Sequence, residues 1–190
     1  MINTRFTRTG LQDAVIIDLE PVEDARGFFA RAWDEREFAE NGLETRIAQC
    51  NVSFNSRKGT LRGMHLQRPP YEEVKLIRCI RGSLFDVITD IRPESASYKQ
   101  WAGVELSARN RRMLYVPRGF AHGFQTLEDD TETFYMVSEF YVPGAEEGLR
   151  WNDPMFGIEW PLGEPSEISD KDRSWPDFVG YPERREERRG

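Results

Sequence analysis

The chain has 190 residues, a length that suits a single domain. With 38% hydrophobic, 12% aromatic and 31% charged residues it carries enough apolar material to bury a core, which excludes wholesale disorder. Lys and Arg number 26 against 33 Asp and Glu, a net charge of −7, so a general nucleic-acid or anionic-membrane surface is excluded and any basic residue that matters must act locally. From the start, Met1-Ile2-Asn3-Thr4-Arg5-Phe6 has no apolar core of a leader peptide. The aliphatic run Ala14-Val15-Ile16-Ile17 falls far short of the roughly 20 residues a membrane span needs. No membrane partner and a cytoplasmic location are the expectation. Cys50 and Cys79 sit in apolar, strand-like contexts without a CxxC pair, and are read as packed thiols in a reducing compartment.

Turn signals recur along the chain and the segments between them favour a period of two, which predicts antiparallel β structure. The predicted strands are 14–19, 27–33, 47–53, 61–67, 73–81, 84–91, 101–106, 112–116, 123–127 and 133–141. This many short strands implies a sandwich or barrel. Gly82-Ser83 between two of them predicts a two-residue hairpin. That register would put Lys75, Ile77, Cys79 and Arg81 on one face with Leu84, Asp86, Ile88 and Asp90, and would set Lys75 opposite Asp90. Helix is scarce. Asp34–Glu40 closed by Asn41-Gly42 reads as one short helix, and Ser169-x-x-Asp172 as the capping box of another. The stretch after Pro161 predicts an irregular wrap, so residues 1–180 form one domain and 181–190, with its mixed charge run, a solvated tail.

Only two histidines occur, His65 and His122. Pro117-Arg118-Gly119-Phe120-Ala121-His122-Gly123 fits the PxGxxH turn of cupin-type jelly rolls. A metal-binding cupin would add an HxH pair and a carboxylate, whereas this strand reads His65-Leu66-Gln67, so no metal site is expected.

A longer resemblance rests on motifs in series: Asp24-x-Arg26-Gly27-Phe28, Gln49-Cys50-Asn51-x-Ser53, Gly59-Thr60-Leu61-Arg62-Gly63-Met64-His65-Leu66-Gln67, Lys75-Leu76-Ile77-Arg78-Cys79-Ile80-Arg81-Gly82, Leu114-Tyr115-Val116-Pro117-x-Gly119-Phe120-Ala121-His122-Gly123-Phe124, Arg150-Trp151-Asn152-Asp153-Pro154 and Ser169-x-Lys171-Asp172. Together they resemble the dTDP-4-dehydrorhamnose 3,5-epimerase family. The resemblance implies an all-β antiparallel jelly-roll (cupin-like) barrel with short peripheral helices. It also implies inversion of C3 and/or C5 of a nucleotide-linked 4-keto-6-deoxyhexose, without metal or redox cofactor. Inverting a carbon beside a ketone needs a base on one face, an acid on the other and cationic or hydrogen-bonding stabilisation of the enolate between them. The family's base aligns with His65, its orienting carboxylate with Asp172, its cation with Lys75 and its acid with Tyr135. Residues that match its substrate contacts are Arg26, Phe28, Gln49, Asn51, Arg62 and His122. Tyr141, an even offset from Tyr135, would share its side. A homodimer is implied, with Arg26 and Phe28 reaching the partner's pocket.

Plainer roles compete. Lys75 could pair only with Asp90, Asp172 could only cap its helix, Tyr135 could be a wall aromatic, His122 a turn residue and Trp151–Pro154 a packing corner. One departure stands out: the family commonly reads Arg-Gly-Phe-Phe-x-Glu where this chain has Arg31 in the last place, which raises a CDP-linked sugar as an alternative. The rival classes are a non-catalytic sugar-nucleotide-binding jelly roll and a metal cupin oxygenase.

Overall fold

The computed structural model describes residues 4–181. Its strands are β1 (Thr4–Arg8), β2 (Val15–Leu19), β3 (Val22–Asp24), β4 (Gly27–Phe29), β5 (Gln49–Asn55), β6 (Thr60–Gln67), β7 (Lys75–Arg81), β8 (Ser83–Asp90), β9 (Trp101–Ser107), β10 (Met113–Val116), β11 (Phe120–Thr126), β12 (Thr131–Val137), β13 (Glu146–Gly148) and β14 (Glu167–Ile168). Two helices, α1 (Glu35–Glu40) and α2 (Asp170–Arg173), interrupt them. Asp34 starts α1 by accepting from the Arg36 N–H at 3.0 Å, and Ser169 starts α2 by accepting from the Asp172 N–H at 3.0 Å.

One sheet runs β1-β2-β10-β7-β12-β5 and the other β13-β6-β11-β8-β9, with β14 added in parallel to β6. The two face each other as an antiparallel jelly-roll sandwich, an open form of the expected all-β architecture. Ile77, Cys79, Leu114 and Val116 from the first sheet meet Leu84, Ile88, Leu106, Phe120 and Phe124 from the second. Each such aliphatic side chain, fully buried, stabilises the fold by about 1.5–3 kcal/mol. Helix α1 covers the outside of the first sheet with Phe38. The irregular segment around Trp151, Phe156, Trp160 and Phe178 covers the outside of the second. Trp151 is thus a packing corner, anchored by its carbonyl, which accepts from Trp160 Nε1 at 2.9 Å.

Three expectations need correction. Gly82-Ser83 does not close a hairpin: β7 pairs with β10 and β12, and β8 with β11 and β9. Both strands already have two long-range neighbours, so the turn carries the chain from one sheet to the other. Gly82 has φ +71°, and a Cβ there would lie 2.6 Å from Thr131 Oγ1. The inward face inferred for the hairpin survives because the strands pack face to face, with Ile77 and Cys79 against Leu84 and Ile88. Lys75 therefore does not oppose Asp90; its register partners are Val116 and Val137, and the Asp90 carboxylate is held by Arg92, Ser95 and Ser97. Cys50 is exposed, on the outward face of the edge strand β5, while Cys79 is buried.

The predicted tail mostly lies outside the described residues. Within them, Tyr181 is packed, its hydroxyl donating to the Glu72 carboxylate. Among the described residues no helix is long and apolar enough to cross a membrane.

Candidate active site

Strand β5 inverts the usual pattern. Its inward residues are Gln49, Asn51 and Ser53, and its outward residues include Val52 and Phe54, which are 58% and 50% exposed. Polar side chains thus line one end of the space between the sheets, where the core gives way to a cleft. A cavity of about 290 Å³ is bounded there by Gln49, Asn51, His65, Lys75, Tyr135 and Tyr141, among others. A second, of about 200 Å³, adds Arg62 and His122 and shares His65, Lys75 and Tyr135. These three shared residues stand where the two spaces meet.

His65 and His122 are register partners on β6 and β11. The strands approach unusually closely beside them: a Cβ on Gly63, which has φ +131°, would lie 2.5 Å from the Cα of Gly123. Glycine on both sides permits the register shift that follows His122. The parallel pairing of β14 with the start of β6 then delivers α2 against the same strand. Asp172 on that helix reaches His65, with Oδ1 2.6 Å from Nε2, and its Oδ2 accepts from the Gly63 N–H at 3.2 Å. Asp172 therefore serves the histidine, while Ser169 alone supplies the cap.

The carboxylate of Asp172 is buried. Burial pushes its pKa up, but the hydrogen bond and charge of His65 and the Gly63 N–H outweigh that push and hold it below the usual carboxylate range. With Nε2 engaged by the carboxylate, the neutral ring carries its proton there and presents the Nδ1 lone pair. Lys75 Nζ donates to the His65 carbonyl at 3.2 Å and lies 3.1 Å from Glu73 Oε1. Burial raises the pKa of the Tyr135 phenol; the Arg62 cation draws it down and the Glu73 charge pushes it further up. The phenol stays protonated at neutral pH.

Arg62 is oriented by Asn55, with Nε donating to Oδ1 at 2.7 Å. Asn51 is the register partner of Tyr135. Gln49 Oε1 accepts from the Tyr141 N–H at 2.8 Å. Tyr141 borders the cavity although it lies beyond the end of β12, so a backbone anchor, not strand parity, places it. His122 Nε2 lies 2.7 Å from Asp86 Oδ1 on the neighbouring strand β8. Arg26 and Phe28 are the exceptions. They stand on the exposed β3–β4 hairpin, Arg26 paired with Asp24 at 2.6 Å and Phe28 4.0 Å beneath the Arg111 guanidinium, and neither borders this chain's own cleft. Arg31 is engaged by Asp34 at 2.8 Å beside the start of α1. Sequence reasoning missed several residues at or beside the cleft, among them Glu73, whose even offset from Lys75 was the available signal, and Asp86, already on the inferred inward face but without an assigned partner.

Among the described residues no group of three or more His, Cys, Asp or Glu side chains is placed to hold a metal ion. The arrangement offers instead a carboxylate-oriented imidazole, a half-buried phenol and an ammonium around one space. That is the equipment for moving a proton at carbon beside a carbonyl.

Comparison with known proteins identifies the family. The sequence profile of dTDP-4-dehydrorhamnose 3,5-epimerase matches residues 8–179. The dTDP-4-dehydrorhamnose 3,5-epimerase of Methanothermobacter thermautotrophicus is 46% identical over 177 residues, covering 92% of this chain and 95% of that one. The crystal structure of the Bacillus anthracis enzyme with TDP and PPi bound superposes with a TM-score of 0.89 at 39% identity, covering 93% of this chain and 100% of that one. The Legionella pneumophila enzyme in complex with dTDP-4-keto-L-rhamnose gives 0.86 at 36% identity, covering 92% and 93%. With its jelly-roll sandwich and its motifs matched along nearly their whole length, the chain belongs to the dTDP-4-dehydrorhamnose 3,5-epimerase family.

Proposed function

We propose that this protein inverts C3, C5 or both of a dTDP-linked 4-keto-6-deoxyhexose by proton abstraction and return. The observation that carries the proposal is the His65–Asp172 pair opening onto the cavity that Tyr135 and Lys75 also border. His65 takes the proton from a carbon beside the ketone. The C–H electrons move into the new enolate and its charge gathers on the C4 oxygen, where the Lys75 ammonium stabilises it. Tyr135 returns a proton from the opposite face and the ketone re-forms. Exchange with water resets the phenol and the imidazole. Electrons are neither gained nor lost overall, so the reaction calls for no redox cofactor. Arg62, Gln49, Asn51, His122 and Tyr141 hold the hexose and diphosphate; the planar guanidinium of Arg62 suits paired phosphate oxygens.

The exposed apolar face of the edge strand β5, with Val52 and Phe54, and the exposed Ile80 on β7 of the same sheet support a homodimer. In it, Arg26 and Phe28, which lie off their own cleft, serve the partner's. Sedimentation should find a dimer; a folded, active monomer overturns this part. We place the reaction in the cytoplasm, where the free Cys50 and Cys79 remain thiols.

The test is incubation in deuterated water with dTDP-, UDP-, GDP- and CDP-linked 4-keto-6-deoxyglucose. We expect the dTDP sugar to be labelled at C3, C5 or both. An unlabelled dTDP sugar overturns the epimerase reading, and faster labelling of the CDP form would assign Arg31 the role of a base selector.

A further inference from the structure

Glu73 has no part in the steps above, yet it borders the larger cavity beside His65, Lys75 and Tyr135. Its side chain is 8% exposed, and Oε1 lies 3.1 Å from Lys75 Nζ. The second oxygen, Oε2, is buried and has no hydrogen-bond partner in the protein. A carboxylate can accept about four hydrogen bonds. Burying one of its oxygens without a donor is costly, and the cost is recovered when a donor arrives in the cavity.

We propose that Glu73 is a specificity-determining residue whose Oε2 accepts a hydrogen bond from the C3 hydroxyl of the hexose. The inference rests on the epimerase reading, which assigns Lys75 to the C4 oxygen. A carboxylate bonded to that ammonium faces the substituents next to C4. On one side C5 carries the ring oxygen and a methyl group, neither of which donates. On the other side C3 carries a hydroxyl, which does.

A competing role is a brace for Lys75 alone, and the chemistry separates the two. The C4 oxyanion is common to the enolates formed toward C3 and toward C5, so weakening Lys75 slows exchange at both carbons equally. Losing a grip on the C3 hydroxyl disturbs the C3 side selectively. The reaction then splits by position, and the C3-to-C5 exchange ratio is the readout.

Position-resolved deuterium exchange with the dTDP sugar should therefore be run on the wild type, Glu73→Ala and Glu73→Gln. Glu73→Ala should lower the C3-to-C5 ratio about tenfold, the scale of one charge-assisted hydrogen bond. Glu73→Gln keeps an acceptor oxygen and should return the ratio toward that of the wild type. An unchanged ratio in Glu73→Ala, with both positions slowed together or neither slowed, overturns the proposal. Should Glu73→Ala fail to fold, as circular dichroism would report, or the wild type label one carbon alone, binding to the wild type decides: an inert analogue of the dTDP sugar lacking the C3 hydroxyl should bind about tenfold more weakly than its hydroxylated counterpart. Equal affinity overturns the proposal. A wild type that labels neither carbon would instead bring down the epimerase reading itself.

Discussion

Two histidine–carboxylate pairs lie side by side on adjacent strands, and their similarity ends at the hydrogen bond. His65 on β6 meets Asp172 at 2.6 Å, and His122 on β11 meets Asp86 at 2.7 Å. The carboxylate of the first comes from a helix 107 residues away and also takes the Gly63 N–H; that of the second comes from the adjoining strand β8, and its Oδ2 has no partner in the protein. The His65 side chain is 31% exposed and that of His122 11%, with Asp86 fully enclosed. An imidazole does acid–base work only where a substrate can touch it. The open pair is thus placed where a substrate can reach it, whereas the closed pair is placed to hold the cleft wall.

The comparison breaks if the two histidines respond alike to substitution. The largest effect belongs to His65→Asn, which should slow deuterium exchange roughly 10³-fold while the unfolding midpoint in denaturant stays close to wild type. Asp172→Asn comes next, at ~10²-fold, because the amide no longer holds the productive tautomer and orientation of the ring. It carries a pH signature as well. Asp172 is held below the usual carboxylate value in the fold, so its contribution to stability is present above that value and disappears as pH falls through the folded-state pKa. The difference in unfolding free energy between wild type and Asp172→Asn should accordingly be largest near neutrality and shrink on acidification below about pH 4. The smallest catalytic effect is that of His122→Asn, less than about tenfold, which costs stability instead, about 1–3 kcal/mol, because the enclosed Asp86 loses its partner. A catalytic loss at His122 that matches His65 would erase the distinction.

Much of the fold was legible in the chain. Every predicted strand has a counterpart, since alternation of buried and exposed positions is a local property that side-chain spacing alone conveys. The short strands β1, β3, β13 and β14 escaped because two to five residues carry too little periodicity. The partition of strands between sheets was not legible, as the Gly82 turn shows: a glycine with positive φ suits a hairpin and a crossing between sheets equally. The site was read mainly through motif resemblance, and the cleft does gather Gln49, Asn51, Arg62, His65, Lys75, His122, Tyr135 and Tyr141. Arg26 and Phe28 lie away from it, because a strand pair on the periphery needs another surface to act upon.

By itself the order of residues determined the β class, the two short helices and their caps, the family, and which side chains have the chemistry for proton transfer. Those follow from neighbours a few positions apart. Only the tertiary structure decided that β14 carries Asp172 to His65, that the two histidines share a register, that Cys50 faces outward and that Glu73 ends with one oxygen on Lys75 and the other unpartnered. Such contacts join residues up to about a hundred positions apart in the chain. They depend on which strand wins which edge, a competition among whole surfaces that no local pattern records.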